Sequence, residues 1–379
     1  MKTMGSCLLV TVVTALLLTI SITSCTSNSA KSSTSSPTPP TNAAISYFGT
    51  QSPGDSWSWT ITKNSAGSGT FSAVNNTSGK TYSGNVVTLS NKFLELTITT
   101  TTDSNVTVGG ASATAYALEF PNTAVIVKPA GFNDLPVIGA AQGTCPSPAN
   151  YNWIKVPTGS WDVTTDPAFG TAVTSGSASS LTLAVAPYLL GGSALSAVTY
   201  TGSCSQGLIT ASANAKFGLT PSGVFIGDQG TDGGVVGMLQ PAAKIGSTAI
   251  LQQGREFRGF VFMTHPPNGP NNLPVDKTQA IWSRTLGDNL ITAAEYTTFD
   301  TGVEDTCPGG DSCATLSLDS EVAPGEFAGT MIDSHAGSHP FSLMINQING
   351  KYMIFGFSRE QAGLDPTALF PYIFLVMEQ

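Results

Sequence analysis

The chain has 379 residues, of which only 10% are charged and 41% are hydrophobic, and it contains 40 Gly and 23 Pro. Glycine and proline at this density favour short strands and tight turns over long helices. Acidic residues outnumber basic ones by 24 to 15, which gives a net charge of −9. Since no basic cluster is available to neutralise phosphates, the composition argues against a nucleic-acid-binding protein.

The N-terminus has the layout of a secretory signal peptide. Lys2 precedes the apolar stretch CLLVTVVTALLLTISI, which is short for a membrane-spanning helix. The tetrapeptide that ends this stretch, Ile22–Cys25 (ITSC), resembles the lipobox of bacterial lipoproteins. The resemblance implies cleavage after residue 24, thioether lipidation of Cys25 and acylation of the new amino terminus, for instance with palmitate. An ordinary secreted protein is the alternative.

A Ser/Thr/Pro-rich segment follows the lipobox. Residues 25–44 have no apolar periodicity and should form a flexible, partly extended tether. Thr26, rather than Asp, follows Cys25, which resembles lipoproteins that Gram-negative bacteria export to the outer membrane. We therefore expect a location in the cell envelope, with a lipid anchor in the membrane.

From Ile45 onward, apolar residues alternate with polar ones, as they do in half-buried strands. The pattern predicts strands at WSWTIT, FLELTITTTT, TAVIVK, LTLAVA, GVFIG, FRGFVFM, ATLSL, FSLMIN, KYMIFGF and PYIFLVM. Clusters of Gly, Asn, Ser and Pro between them are typical of hairpins, and only LGDNLITAAEY has helical character. We expect an all-β protein of sandwich or barrel architecture, with two β-rich domains at residues 45–215 and 216–379.

Four cysteines remain after cleavage and lipidation, and an even number in an oxidising compartment predicts two disulfides. Among the three possible connectivities we favour Cys307 with Cys313, because the loop CPGGDSC is short and rich in turn residues. This choice leaves Cys145 to pair with Cys204. A zinc site is the alternative, although no CxxC pair occurs and the His residues have no spacing relation to the cysteines.

No segment carries a GxSxG elbow, a P-loop or an HExxH motif. Asp333, His335 and His339 lie within the seven residues DSHAGSH, but this spacing fits no ligand motif, and we interpret them as part of a polar turn. Asp162 and Asp166 form a candidate carboxylate pair for glycoside hydrolysis, although nothing in the sequence sets their separation.

Two groups of aromatic residues are candidates for stacking against sugar rings. One group comprises Trp57 and Trp59, and the other comprises Tyr151, Trp153 and Trp161. Residues two apart lie on the same face of a strand, and large aromatics in β proteins are most often buried. We therefore expect Trp57 and Trp59 to pack in a core.

The acidic residues are concentrated in one stretch. Residues 285–350 contain ten acids and no Lys or Arg. Within this stretch, Asp300, Glu304, Asp305 and Asp311 form a candidate calcium loop, because hard cations bind clustered carboxylates on loops. An acidic, solvated surface that keeps the protein soluble is the alternative.

Two functional hypotheses follow from these features. The first is a membrane-anchored extracytoplasmic lipoprotein with a noncatalytic binding or structural role, whose partner is an envelope polymer or a protein ligand. The second is an extracytoplasmic glycan hydrolase that uses paired carboxylates. A cleft lined by two carboxylates about 5 to 10 Å apart would favour the enzyme. No cofactor other than calcium is expected.

Overall fold

The computed structural model describes most of the chain after the tether, and Pro40–Gln379 form one compact unit. The described ranges are 43–51, 55–128, 136–145, 147–156, 164–211, 215–220, 223–228, 234–246, 254–264, 276–287, 290–295, 313–333, 337–359 and 373–379.

In these ranges the strands form three closed antiparallel barrels of eight strands each. Consecutive strands pair within each barrel, and the eighth strand closes it by pairing with the first. The strands of the first barrel are β1 Ala43–Gln51, β2 Asp55–Lys63, β3 Ser68–Asn75, β4 Thr81–Thr88, β5 Leu94–Thr101, β6 Thr114–Phe120, β7 Ala124–Lys128 and β8 Val137–Ala141.

The second and third barrels have the same strand order. The strands of the second barrel are β9 Asn150–Val156, β10 Phe169–Ser177, β11 Ser180–Tyr188, β12 Val198–Ser205, β13 Leu208–Ala211, β14 Lys216–Leu219, β15 Val224–Asp228 and β16 Gly234–Leu239. The strands of the third barrel are β17 Glu256–Thr264, β18 Asp276–Gly287, β19 Leu290–Glu295, β20 Cys313–Ala323, β21 Glu326–Asp333, β22 Gly337–Ile348, β23 Lys351–Ser358 and β24 Ile373–Glu378.

The helical content of the described part is small. A 3₁₀ helix at Ala111–Ala113 precedes β6. In the described ranges no helix has the length and apolarity needed to cross a membrane.

Each barrel has its own apolar interior, because eight strands leave a space that side chains can fill. In the first barrel, Trp57 stacks on Trp59 with ring centroids 5.8 Å apart. In the third barrel, the rings of Phe341 and Phe374 stack at 5.3 Å. A Cβ at Gly356 would lie 2.4 Å from Cε1 of Phe374 and 2.5 Å from Cε1 of Phe341, so glycine at this position makes room for the stacked pair.

The burial pattern distinguishes strands with one buried face from strands with two. In β5, Leu94, Leu96 and Ile98 are buried, whereas the residues between them are half-buried or exposed. In contrast, β8 is buried throughout, and so is β7 except at its last residue. A strand buried on both faces has a near-continuous apolar sequence, as VIGAA in β8 does.

The second buried face of such strands belongs to an apolar cluster that all three barrels share, here named the central cluster. Its larger members are Phe93, Phe120, Ile126 and Ile138 from the first barrel, Phe169, Ile226 and Met238 from the second, and Phe260, Met344, Phe355 and Phe357 from the third. The ring of Phe93 meets Phe260 edge-on at 5.5 Å, and Phe169 lies 5.2 Å from Phe357. Since burying a side chain of this size contributes about 1.5–3 kcal/mol, the cluster is a large source of stability.

A half-buried carboxylate fixes the connection between the second and third barrels. Glu321 in β20 accepts hydrogen bonds from the backbone N–H groups of Ile245, Gly246 and Gly325, at 2.9, 2.8 and 2.9 Å. Burial alone would raise the pKa of Glu321, but these hydrogen bonds outweigh it and the pKa lies below its usual value. The ionised side chain thus ties the segment after β16 to the third barrel.

The all-β prediction is confirmed, and every segment predicted as a strand lies in or overlaps one of the 24 strands of the described ranges. The prediction of helical character around Leu290 was wrong. Leu290–Glu295 form β19, because pairing with β18 and β20 outweighs local helix propensity. The predicted domain boundary between residues 215 and 216 lies inside the second barrel. It falls between β13 and β14, which pair with each other.

We expect the replacement Phe260→Ala to lower the free energy of unfolding by about 3–5 kcal/mol, because it leaves a void in the central cluster next to Phe93. Urea denaturation followed by circular dichroism measures the change. Val87→Ala provides the control, since Val87 is exposed and its replacement should change stability by less than about 0.5 kcal/mol. A loss for Phe260→Ala as small as that of the control would contradict the role of the cluster.

Candidate functional site

Polar networks close both ends of the first barrel. At one end, the buried hydroxyl of Tyr47 donates to Oε1 of Glu119 at 2.5 Å, and Lys63 forms an ion pair with the other carboxylate oxygen. The side chain of Glu119 is only 1% exposed, so its charge depends on these two partners. Burial, together with the neighbouring carboxylate, raises the pKa of Tyr47 well above its usual value.

The opposite end has the same combination of residue types. The hydroxyl of Tyr82 donates to Oδ2 of Asp103 at 2.7 Å, and Nζ of Lys80 donates to Oδ1 at 2.9 Å. Burial works to raise the pKa of Asp103, but hydrogen bonds from Lys80, the backbone of Asn105 and Tyr82 outweigh it, and the pKa is lowered. Both networks therefore keep a tyrosine hydroxyl and a carboxylate paired where the barrel interior ends.

A cleft of about 320 Å³ opens between the first and third barrels, beside the Glu119 network. We call it the lysine cleft. Its lining residues are Lys63, Thr88, Lys92, Leu94, Glu119, Phe120, Pro121, Asn349, Lys351, Glu378 and Gln379. A volume of this size is within the range of small-molecule sites.

Both glutamates of the cleft lining are paired with a basic side chain, whereas two of its three lysines are not paired with a carboxylate of the described residues. Glu119 is paired with Lys63, and Glu378 accepts a hydrogen bond of 2.5 Å from Arg255. Oε2 of Glu378 also accepts one of 2.9 Å from the backbone N–H of Tyr352. Lys92 and Lys351 are exposed, and in the described part of the chain neither ammonium forms an ion pair or a hydrogen bond. The cleft thus has two positive charges with which no side-chain carboxylate of the described residues pairs.

Lys92 is held in place by its turn. It lies between β4 and β5 with a φ of 74°, and its backbone N–H donates to the carbonyl of Leu89 at 3.0 Å. Few residues other than glycine adopt this left-handed conformation, so the surrounding structure must fix it. The next residue, Phe93, is fully buried in the central cluster and anchors the turn at the interface between the barrels.

Lys351 is fixed from the third barrel. It follows the tight turn Asn349-Gly350, whose φ values of 51° and 81° suit a two-residue hairpin between β22 and β23. The side-chain amide of Asn349 donates to the hydroxyl of Thr123 in the first barrel at 3.1 Å. This hydrogen bond joins the two walls of the cleft.

Sequence analysis did not identify the lysine cleft. Lys63, Lys92 and Lys351 come from three distant segments, and no local motif connects them. Turn residues precede Lys351 in the sequence NGK, but they indicate a hairpin and not a site. Only the packing of the first barrel against the third brings these residues together.

The structure joins Cys145 and Cys204 in a disulfide, which is the pairing that remained after Cys307 and Cys313 were matched. It links the segment before β9 to β12 of the second barrel, and the two cysteines are 59 positions apart in the sequence. Cys307 lies outside the described residues, and of Cys313 only the backbone is described, at the start of β20. Cys25 also lies outside them.

The candidate calcium ligands Asp300, Glu304, Asp305 and Asp311 all lie outside the described residues. In the part that is described, no group of three or more His, Cys, Asp or Glu side chains is placed to hold a metal ion.

The predicted His/Asp turn lies between two paired strands: Asp333 ends β21, and His339 is half-buried in β22. His335 lies outside the described residues. The same is true of Asp162, whereas Asp166 is described and lies half-buried before β10. The geometry of the candidate carboxylate pair and of the His/Asp group therefore lies outside the described residues.

The candidate aromatic platforms are buried where they are described. Trp57, Trp59, Tyr151 and Trp153 are each at most 4% exposed and line the interiors of the first and second barrels. Burial raises the pKa of Tyr151 to about 12. Trp161 lies outside the described residues. The described aromatics contribute to the cores, as expected for Trp57 and Trp59.

No protein-family model and no curated protein matches this chain. Among solved structures, isotype 1 transferrin binding protein B (TbpB) from serogroup B Neisseria meningitidis is similar, with 10% identity and a TM-score of 0.29, over 86% of this chain and 65% of that one. The chain thus spans less than two thirds of that protein. Intact Ap-TbpB, with N and C lobes, is similar with 11% identity and a TM-score of 0.23, over 90% and 77% of the two chains. At these values no functional conclusion follows.

We expect Asp103→Asn to reduce the acid sensitivity of folding. Because the pKa of Asp103 is lowered in the folded state, its contribution is fully present above the unfolded pKa of about 3.9 and is lost as the pH falls through the folded value. The variant should be less stable at pH 7 by about 2 kcal/mol, with a smaller further loss between pH 5 and pH 2. Urea midpoints across this range measure both effects.

Tyr82→Phe is the matched control, because it removes one hydrogen bond to Asp103 and keeps the carboxylate and Lys80. It should cost about 1 kcal/mol and leave most of the acid dependence in place. Identical pH profiles for Asp103→Asn and the wild type would show that this carboxylate is not linked to folding.

Replacing the cysteines of the observed disulfide, as Cys145→Ser with Cys204→Ser, should destabilise the protein by on the order of 4 kcal/mol. The estimate follows from the chain entropy that a loop of this length regains in the unfolded state. Thermal melts of the double variant, with and without reductant, measure the loss. Reductant should lower the melting temperature of the wild type towards that of the variant, and equal melting temperatures for oxidised wild type and variant would argue against the bridge.

Proposed function

We propose that the chain is a lipid-anchored protein of the bacterial cell envelope that binds a partner noncatalytically on the outer surface of three packed barrels. The observation that carries the proposal is the lysine cleft, where Lys92 and Lys351 retain uncompensated charge. Aromatic and aliphatic side chains fill the barrel interiors, so a partner has access to the outer surface and to the clefts between barrels.

The carboxylates of the cleft favour binding over glycoside hydrolysis. A glycosidase uses one carboxyl group to protonate the leaving group and another to attack or to activate water. Here both Glu119 and Glu378 are engaged by a cation and by a second donor within the protein. Their oxygens serve the structure of the cleft walls, while the lysines face the open space.

The lipobox-like sequence at Cys25 supports the anchor. Each buried methylene of an acyl chain contributes about 0.8 kcal/mol, so several chains would hold the protein on a membrane almost permanently. The Ser/Thr/Pro-rich tether gives the barrels freedom to reach an envelope polymer or a protein ligand. With Thr26 after the lipidation site, the outer membrane of a Gram-negative host is the proposed location.

Cys25→Ser tests the anchor. The wild type should partition into the detergent phase and yield an acylated N-terminal peptide by mass spectrometry, because the acyl chains bind the membrane. The variant should remain unprocessed or leave the membrane fraction. Cys7→Ser is a matched control, since Cys7 lies in the segment that cleavage removes, and it should behave like the wild type. An unmodified wild-type protein whose N-terminus lies elsewhere would contradict the proposal.

A further inference from the structure

We propose that the lysine cleft binds a phosphate group, which a soluble phosphate ester or a lipid headgroup would present. This inference rests on the proposed binding function and names its ligand chemistry. Lys92 comes from the first barrel and Lys351 from the third, so an anion between them would be held by both walls. Lysine is a compact point charge that commonly binds phosphate.

The surroundings of these two lysines set the local charge. The protein as a whole has a charge of −9 and contains only 15 basic residues, yet three of them line this one cleft. Lys63 forms an ion pair with Glu119. Arg255, which does not line the cleft, forms one with Glu378. What remains among the side chains of the cleft is an excess of positive charge on an otherwise acidic protein, and this excess favours an anionic phosphate group.

The same carboxylates limit the kind of anion. Glu119 and Glu378 lie in the lining, so an extended polyanion that covered the whole cleft would meet negative as well as positive charge. A single compact group between Lys92 and Lys351 would meet less of this negative charge than an extended polyanion. The side-chain amide of Asn349 donates one N–H to Thr123 and has a second N–H as a further donor in the lining.

The walls are preorganised for such a ligand. The turn that carries Lys92 is anchored by Phe93 in the central cluster, and the turn before Lys351 is anchored by Ile348 in the same cluster. The hydrogen bond from Asn349 to Thr123 crosses between the barrels. Since the backbones are fixed before binding, only the two lysine side chains lose freedom when the anion binds.

The position of the cleft makes a lipid headgroup one source of the phosphate. Ala43, the first residue of β1, pairs with Lys63 of the lining, so the chain from Cys25 enters the first barrel at the end that carries the cleft. A phosphate ester in solution is the other source. Both present the same chemistry to Lys92 and Lys351, and the experiment separates them.

The test compares the full chain with Lys92→Gln/Lys351→Gln, which removes both charges and keeps polar, unbranched side chains that are only slightly shorter. Isothermal titration with inorganic phosphate should show at least tenfold weaker binding for the double variant, and binding by the wild type should weaken as sodium chloride is raised. Lys216→Gln, a half-buried lysine of β14 that is not part of the cleft, is the matched control and should bind like the wild type. Equal melting temperatures verify that the variants are folded.

A second arm uses the Cys25→Ser chain, which lacks the acyl anchor, with phosphatidylcholine vesicles that contain or lack phosphatidic acid. Binding that requires phosphatidic acid and is lost in the double variant would assign a lipid headgroup. A response to inorganic phosphate without binding to phosphatidic acid vesicles would assign a free phosphate group. If neither probe binds, or if the double variant binds as well as the wild type, the proposal is overturned. Acylation of Cys25 is measured separately, so failure of the cleft is distinguishable from failure of the anchor.

Discussion

Burial of the central cluster is the constraint on which the arrangement of the three barrels depends. In a closed barrel the strands pair with one another all the way round, and side chains fill the interior. The backbone hydrogen bonds between strands therefore do not require neighbouring barrels to associate. The association comes from the outer faces of strands such as β7, β8, β16 and β24, which are apolar where they face the other barrels. Hydrophobic burial there stabilises one compact unit.

The candidate site is a consequence of this packing. Phe93 and Ile348 are members of the central cluster, and each lies three residues or fewer from an exposed lysine in or directly after a turn. Docking of the first barrel against the third therefore places Lys92 and Lys351 on opposite walls of one cleft. The paired Glu119 and Glu378 give those walls a fixed charge pattern, so the binding geometry depends on the cluster although no cluster ring needs to touch a ligand.

Sequence patterns predicted the strands well because period-two alternation reports burial of one face, as at Leu94, Leu96 and Ile98. Continuous apolar runs such as TAVIVK were also identified as strands, but a run alone does not say what covers its second face. The number of barrels and the lysine cleft depend on that second face. They follow from contacts between residues more than 200 positions apart, such as Asn349 with Thr123, which no local pattern encodes.

Differential scanning calorimetry of the intact protein tests most directly whether the central cluster joins the barrels into one cooperative unit. Since unfolding of one barrel would expose the cluster faces of the other two, we expect a single transition whose calorimetric and van't Hoff enthalpies agree. Three separate transitions, each with the enthalpy of about 100 residues, would show that the barrels fold independently and would contradict the account.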